Sequence, residues 1–215
     1  FVLNLASLND ETFQMSFEHL KKVVSLSSRL GADKFAFHAG FFIDIKLNEI
    51  GKKLSRDKLF DQNEAVERFC SAYRIIKERA EGVSLFIENN VYSRTNAETY
   101  GNENPFMMTN FSEYQSLKEK IDFNLLLDVA HLKVSTKTLG LNWENEFENM
   151  INESNYIHIS DNDGFHDLNN QLTKSSNLLS MLRQSDTKNK DFTLEIYDNM
   201  NVIKESYEIL NEAVS

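Results

Sequence analysis

A chain of 215 residues can bury one sizeable core, and 41% hydrophobic with 26% charged residues is ordinary for a globular protein. A net charge of −10 with no basic block speaks against binding along a nucleic-acid backbone, which needs clustered Lys and Arg. No apolar run approaches membrane-spanning length, no basic leader is present, and the lone Cys70 can form no internal disulfide, so the chain reads as cytoplasmic with Cys70 in the core.

The chain starts without Met on the apolar segment FVLNLA, which reads as the tail of a strand whose beginning lies upstream of Phe1. A helix is predicted from about Ser16 to Leu30, with Phe17, Leu20, Val23, Val24 and Leu30 on one face and Gly31 at the position that needs positive φ. His19 lies on it as a surface residue. The strand KFAFHAG (34–40) follows, ending in His38. Residues 41–60 form a long connection carrying Lys46, Lys52, Lys53 and Arg56, of a length often used for lids or binding loops. Asp61 and Glu64 predict a capping box for a helix whose buried stripe is Val66, Phe69, Cys70, Tyr73 and Ile76.

The strand VSLFIEN ends in Glu88, and residues 89–110 read as a polar loop. Ser112 and Gln115 suggest a second capping box, before a helix face of Tyr114, Leu117 and Ile121. FNLLLDVAH (123–131) is apolar throughout, as a strand buried on both faces should be, and ends in Asp128 and His131. A helix over about 143–151 buries Trp143, Phe147, Met150 and Ile151. Then NYIHISDNDGFHDLN (155–169) runs from a strand into a dense group of His, Asp and Asn. A helix with Leu178, Leu179 and Leu182, the strand FTLEIY (192–197), and a helix carrying Ile203, Tyr207 and Leu210 complete the chain.

Strands and helices alternate throughout, which calls for a parallel sheet with crossover helices. No Gly-rich phosphate loop follows any strand, as a doubly wound sheet would favour. Polar residues stand at every visible strand end, which favours an α/β barrel. Glu88, Asp128 and Glu195 end apolar strands, and three inward carboxylates repel one another without a cation between them. With His158 they can chelate one divalent metal, Mn²⁺, Mg²⁺, Co²⁺ or Zn²⁺. The competing reading is that some of these carboxylates hold Arg or Lys in core ion pairs.

IEN (87–89), LDVAH (127–131), HISDNDG (158–164) and LEIY (194–197), in this order, resemble the xylose-isomerase-like barrel superfamily, which includes sugar and sugar-phosphate isomerases, keto-sugar epimerases and endonuclease IV. The resemblance runs from NLAS (4–7) through the last helix. It implies a TIM (β/α)₈ barrel whose first strands lie upstream of Phe1, with residues 1–215 as a single, N-terminally incomplete domain. It also implies a metal held by Glu88, Asp128, His158 and Glu195, with both glutamates as the acid–base pair in isomerisation or epimerisation of a sugar or sugar phosphate. His131 is implied as a substrate contact, and His38, His131, Asp161, Asp163, His166 and Asp167 as a second metal or substrate group. Arg94 and Lys133 follow ligand-bearing strands and are expected near substrate. The alternative is an endonuclease IV-like phosphodiesterase acting on abasic DNA. There a third metal uses an Asp-x-His pair, and Asn169 follows Asp167 at the matching place, so the histidine is absent. The sequence leaves the sugar, the metal and the oligomeric state open.

Overall fold

The computed structural model describes residues 1–101 and 103–214; Asn102, inside the loop expected over 89–110, and Ser215 lie outside the described residues. Strands β1 (Lys34–His38), β2 (Ser84–Glu88), β3 (Asn124–Asp128), β4 (Ser154–Ile159) and β5 (Asp191–Leu194) pair in parallel and in chain order. Helices α1 (Asp10–Arg29), α2 (Gln62–Glu78), α3 (Arg94–Tyr100), α4 (Phe111–Lys118), α5 (Val129–Leu139), α6 (Trp143–Glu153), α7 (Asn177–Leu182) and α8 (Met200–Val214) flank them. In a flat sheet, β1 and β5 would lie about 19 Å apart at four inter-strand spacings. The Lys34 ammonium on β1 nevertheless hydrogen-bonds the Asp191 carboxylate on β5. The sheet therefore curls into part of a barrel.

The two-residue period of a strand sorts its side chains between the faces of this curl. Leu85, Ile87, Leu125, Leu127, Ile157 and Ile159 point outward and join Phe69, Tyr73, Ile76, Phe147 and Met150 in the main core beneath the helices. The alternate residues line the inside, where the rings of Phe86 and Tyr156 meet edge to face at 5.4 Å. Two residues beyond Phe86, Leu126, Tyr156 and Thr193 stand Glu88, Asp128, His158 and Glu195. All four thus share the inner face, at the C-terminal mouth. A register shift between Leu125 and Leu126 brings Asp128 opposite His158, while His38 is opposite Glu88.

Several local expectations need correction. Phe1–Leu5 joins no ladder; instead buried Asn4 donates to the carbonyls of Phe41 and Ile43 and accepts from the amides of Ala6 and Phe41. Helix α1 begins six residues before Ser16, because Asn9 caps it by accepting from the amides of Glu11 and Thr12. The loop after β2 contains α3, capped by Ser93. Asn110, rather than Ser112, caps α4, and the Glu113 carboxylate reaches back to the Thr109 amide at 2.7 Å. Helix α5 starts directly after β3 and was hidden in the sequence by its Val and Thr content, so His131 belongs to a helical first turn. On α8, Tyr207 faces solvent, and Ser206, Ile209, Leu210 and Ala213 are the buried positions.

Candidate metal centre

Glu88, Asp128, His158 and Glu195 each offer a ligand atom, and the four atoms lie within 4.8 Å of one another. A divalent cation takes its ligands at about 2.0–2.6 Å, which puts any two of them no more than about 4–5 Å apart. The set fits one ion, and its mixture of three carboxylates with one imidazole suits the harder divalent metals. His158 Nδ1 lies 3.1 Å from Glu195 Oε2 and 3.5 Å from Glu88 Oε1. Among the described residues, no Lys or Arg pairs with Glu88, Asp128 or Glu195. The competing reading of core ion pairs with basic residues therefore finds no partner there.

The electrostatics of the ion-free cluster follow from burial and crowding. Asp128 is 2% exposed, and desolvation pushes its carboxyl up to about 7 despite the neighbouring His131. Glu195 is held down at about 2 by the hydrogen bond from His158, against the opposing effect of burial. Burial disfavours the charged imidazole of His158, but Glu195 and Glu88 outweigh it and raise that pKa to about 10. The His158 ring thus offsets the charge of Glu88 and Glu195, where a cation would otherwise balance it.

Backbone architecture sets the geometry. Asp128 closes β3 and also caps α5, with Oδ1 accepting from the His131 amide at 2.7 Å. The Asn89 side chain pairs with the Asp128 backbone in both directions, at 2.7 and 3.0 Å. The Asn89 backbone carbonyl lies 2.9 Å from His131 Nδ1, which turns His131 Nε2 toward Asp167 Oδ2 at 3.5 Å. Asn90, 3% exposed, donates to the carbonyls of Ala39, Gly40 and Met107, locking the segment after β1 to the segment before α4. The Tyr197 hydroxyl donates to Glu195 Oε1 at 3.1 Å. Asn89, Asn90 and Tyr197 escaped the sequence reading, although two sit immediately after β2 and one ends the LEIY motif.

The remaining predicted residues divide. His38, Glu88 and His131 form a second group with metal-ligand spacing that shares Glu88 with the first. Burial lowers the His38 pKa, whereas Asp128 and Asp167 hold His131 well above the ordinary value against its own burial. His166 and Asp167 line the cavity, and Asp163 instead bonds His166 Nδ1 at 2.8 Å on the exposed side of the loop. Asp161 lies apart, accepting from Lys133 Nζ and Ser176 Oγ, both at 2.6 Å. Lys133 also donates to the Asn162 carbonyl, so its ammonium is occupied in tying α5 to this loop. Arg94, the first residue of α3, is exposed outside the cavity lining. The cavity itself measures about 1140 Å³, and Glu88, His131, His158, Glu195 and Tyr197 line it at the mouth.

Comparison with known proteins gives the same frame. A family model described as xylose isomerase-like TIM barrel matches residues 1–213. A solved D-tagatose 3-epimerase-like protein superposes with a TM-score of 0.67 at 18% identity, over 99% of this chain and 76% of that one. D-psicose 3-epimerase from Clostridium cellulolyticum H10, solved with D-tagatose, gives 0.67 at 11% identity, covering 99% and 75% of the two chains. Endonuclease IV from Thermus thermophilus gives 0.62 at 14% identity, covering 99% and 72%. A bifunctional uridylyltransferase/uridylyl-removing enzyme of Idiomarina loihiensis is 24% identical over 158 residues, 73% of this chain but only 17% of that protein.

Proposed function

The chain belongs to the xylose isomerase-like TIM barrel family, and on that premise we propose that it is a divalent-metal-dependent isomerase or epimerase of a sugar or sugar derivative. The single observation that carries this reading is the convergence of Glu88, Asp128, His158 and Glu195 within 4.8 Å on the inner face of the sheet. These four residues would hold the ion. When bound, the metal would polarise a substrate carbonyl and acidify the neighbouring C–H.

Two of the three carboxylates, Glu88 and Glu195, line the cavity, whereas Asp128 does not. That division supports a positioning role for Asp128 and an acid–base role for the two glutamates. One glutamate removes the proton next to the carbonyl, and the other returns a proton to the adjacent carbon or the opposite face. His131 Nε2 donates to a substrate oxygen, and the Tyr197 hydroxyl fixes the orientation of the Glu195 carboxylate. We read residues 1–215, whose five strands curl into part of a barrel, as a single domain carrying this chemistry.

With a suitable ketose and added metal in heavy water, solvent deuterium should enter a carbon-bound position. Glu195→Gln should slow that exchange about a hundredfold or more. Metal content of the variant, measured in parallel, separates a lost base from a lost ligand. Exchange unchanged in a metal-loaded Glu195→Gln protein would sink the acid–base assignment.

The second reading, phosphodiester hydrolysis on the endonuclease IV pattern, is favoured by the His38–Glu88–His131 group, which offers a place for another cation. The net charge of −10 and Asn169 oppose it. Elemental analysis decides between them: about one ion per chain supports proton transfer, and two or three with cleavage of abasic DNA support hydrolysis.

A further inference from the structure

The cavity continues from the carboxylates toward the loop between β1 and α2, and there its lining changes character. Lys52, Lys53, Ser93, Thr95 and Asn96 face the same space. Two other cations of this loop, Lys46 and Arg56, are occupied. Lys46 donates to Ser55 Oγ at 3.0 Å and pairs with Glu49, while Arg56 donates to the Thr99 carbonyl at 2.8 Å and pairs with Glu103. Glu49, the one acid lining this end, is thereby covered by Lys46 and by the Ser55 hydroxyl at 2.8 Å.

Lys52 donates only to the backbone carbonyl of Asn48, so its charge stays uncompensated. Lys53 has no acceptor among the described residues. Asn96 is 6% exposed and spends its Oδ1 on the Leu54 amide at 2.9 Å. Its Nδ2 donors are left without an acceptor among the described residues, on a buried side chain that lines the cavity. A donor on so enclosed a side chain that no protein group satisfies is open to water or to a ligand in the cavity. Two ammonium groups, a free amide and two hydroxyl side chains form the donor set that an anionic oxygen group accepts.

We propose that Lys52, Lys53 and Asn96 bind an anionic substituent, a phosphate monoester or a carboxylate, on the end of the substrate remote from its reacting carbonyl. The orientation rests on the proton-transfer reading of the metal end.

Amine labelling of the whole chain, read residue by residue by mass spectrometry, tests the subsite without turnover. At constant ionic strength, glycerol phosphate at twice its dissociation constant should slow labelling of Lys53 about threefold relative to exposed Lys188, whereas glycerol should not. Glycerate in place of the ester separates a carboxylate preference from a phosphate preference. Protection by neither anion overturns the proposal. In deuterium exchange, the preference for a ketose carrying the protecting anion over its neutral parent should fall about tenfold in Lys53→Met, through KM, and recover in Lys53→Arg. A wild-type protein that exchanges both ketoses equally well overturns the subsite and leaves the proton-transfer reading standing. Protection of Lys53 with no exchange of any ketose keeps the anionic subsite and removes that reading.

Discussion

The two ends of the sheet treat charge in opposite ways. At the N-terminal ends of the strands, two acids meet bases: Asp191 with Lys34, and Asp122 with Lys77 and Lys118. Lys190 donates there to the carbonyls of Ile151 and Ser154. At the C-terminal ends, Glu88, Asp128 and Glu195 meet one another, histidines and the Tyr197 hydroxyl, and no Lys or Arg among the described residues. A carboxylate paired with lysine in solvent is balanced at little cost. Carboxylates crowded under a cavity floor are balanced only by protons or by an ion from outside. The first end holds the barrel together, and the second is poised to bind something.

This contrast can be broken at several points. The largest effect is expected on metal loading. At one hundred times its dissociation constant, a bound ion should stabilise the wild-type protein by about 2.7 kcal/mol, reversed by chelation. Glu88→Gln should abolish this gain, because it removes a ligand common to both candidate groups. It should also lower the stability of the ion-free protein at neutral pH, because, against its burial, His158, His38 and His131 hold the Glu88 carboxyl below its ordinary value. Thermal unfolding with and without metal measures both, and an equal metal-induced shift in Glu88→Gln would refute the shared-ligand geometry.

Asn90→Ala comes next. It strands the carbonyls of Ala39 and Met107, while Gly40 keeps the Met107 amide, and should cost about 1–3 kcal/mol, with faster hydrogen exchange around Met107 and Gly40. A cost near zero would mean that those segments are held by their own backbone bonds.

The smallest effect belongs to the opposite end. Asp122 is exposed, and the hydrogen bonds from Lys77 and Lys118 depress its carboxyl below the usual range. A depressed folded-state pKa gives stability that is present above the unfolded value and lost as pH falls through the folded one. Asp122→Asn should therefore cost less than about 1 kcal/mol at neutral pH, after solvent screening. The difference from the wild type should fade below about pH 4. Denaturant titrations across that range check it.

The strands and the convergence of their ends were legible because apolar runs ending in Glu88, Asp128 and His158 combine two signals, burial and an abrupt change to ligand chemistry. The parallel sheet followed from the alternation of strands and helices, and the buried stripe of α2 from its periodicity. What stayed hidden depends on contacts distant in sequence. Nothing near Asn4 or Asn90 announces that each clamps loops across the mouth, at separations of 37 and 51 residues. Lys133 follows a ligand-bearing strand, as a substrate contact would, yet its ammonium turns to Asp161. Helix α5 was obscured because its first residues read equally well as an extension of β3.

That junction carries a consequence of its own. Asp128 is at once the final residue of β3, the cap of α5 and a member of the metal group, with no connecting residue before the helix. Each residue inserted between Asp128 and His131 would rotate the histidine by about 100° around the helix axis. A family built on this frame can vary the lengths of segments 41–60 and 160–176 to meet new substrates. It has no such freedom between β3 and α5, so length variation should collect around the mouth and leave this join untouched.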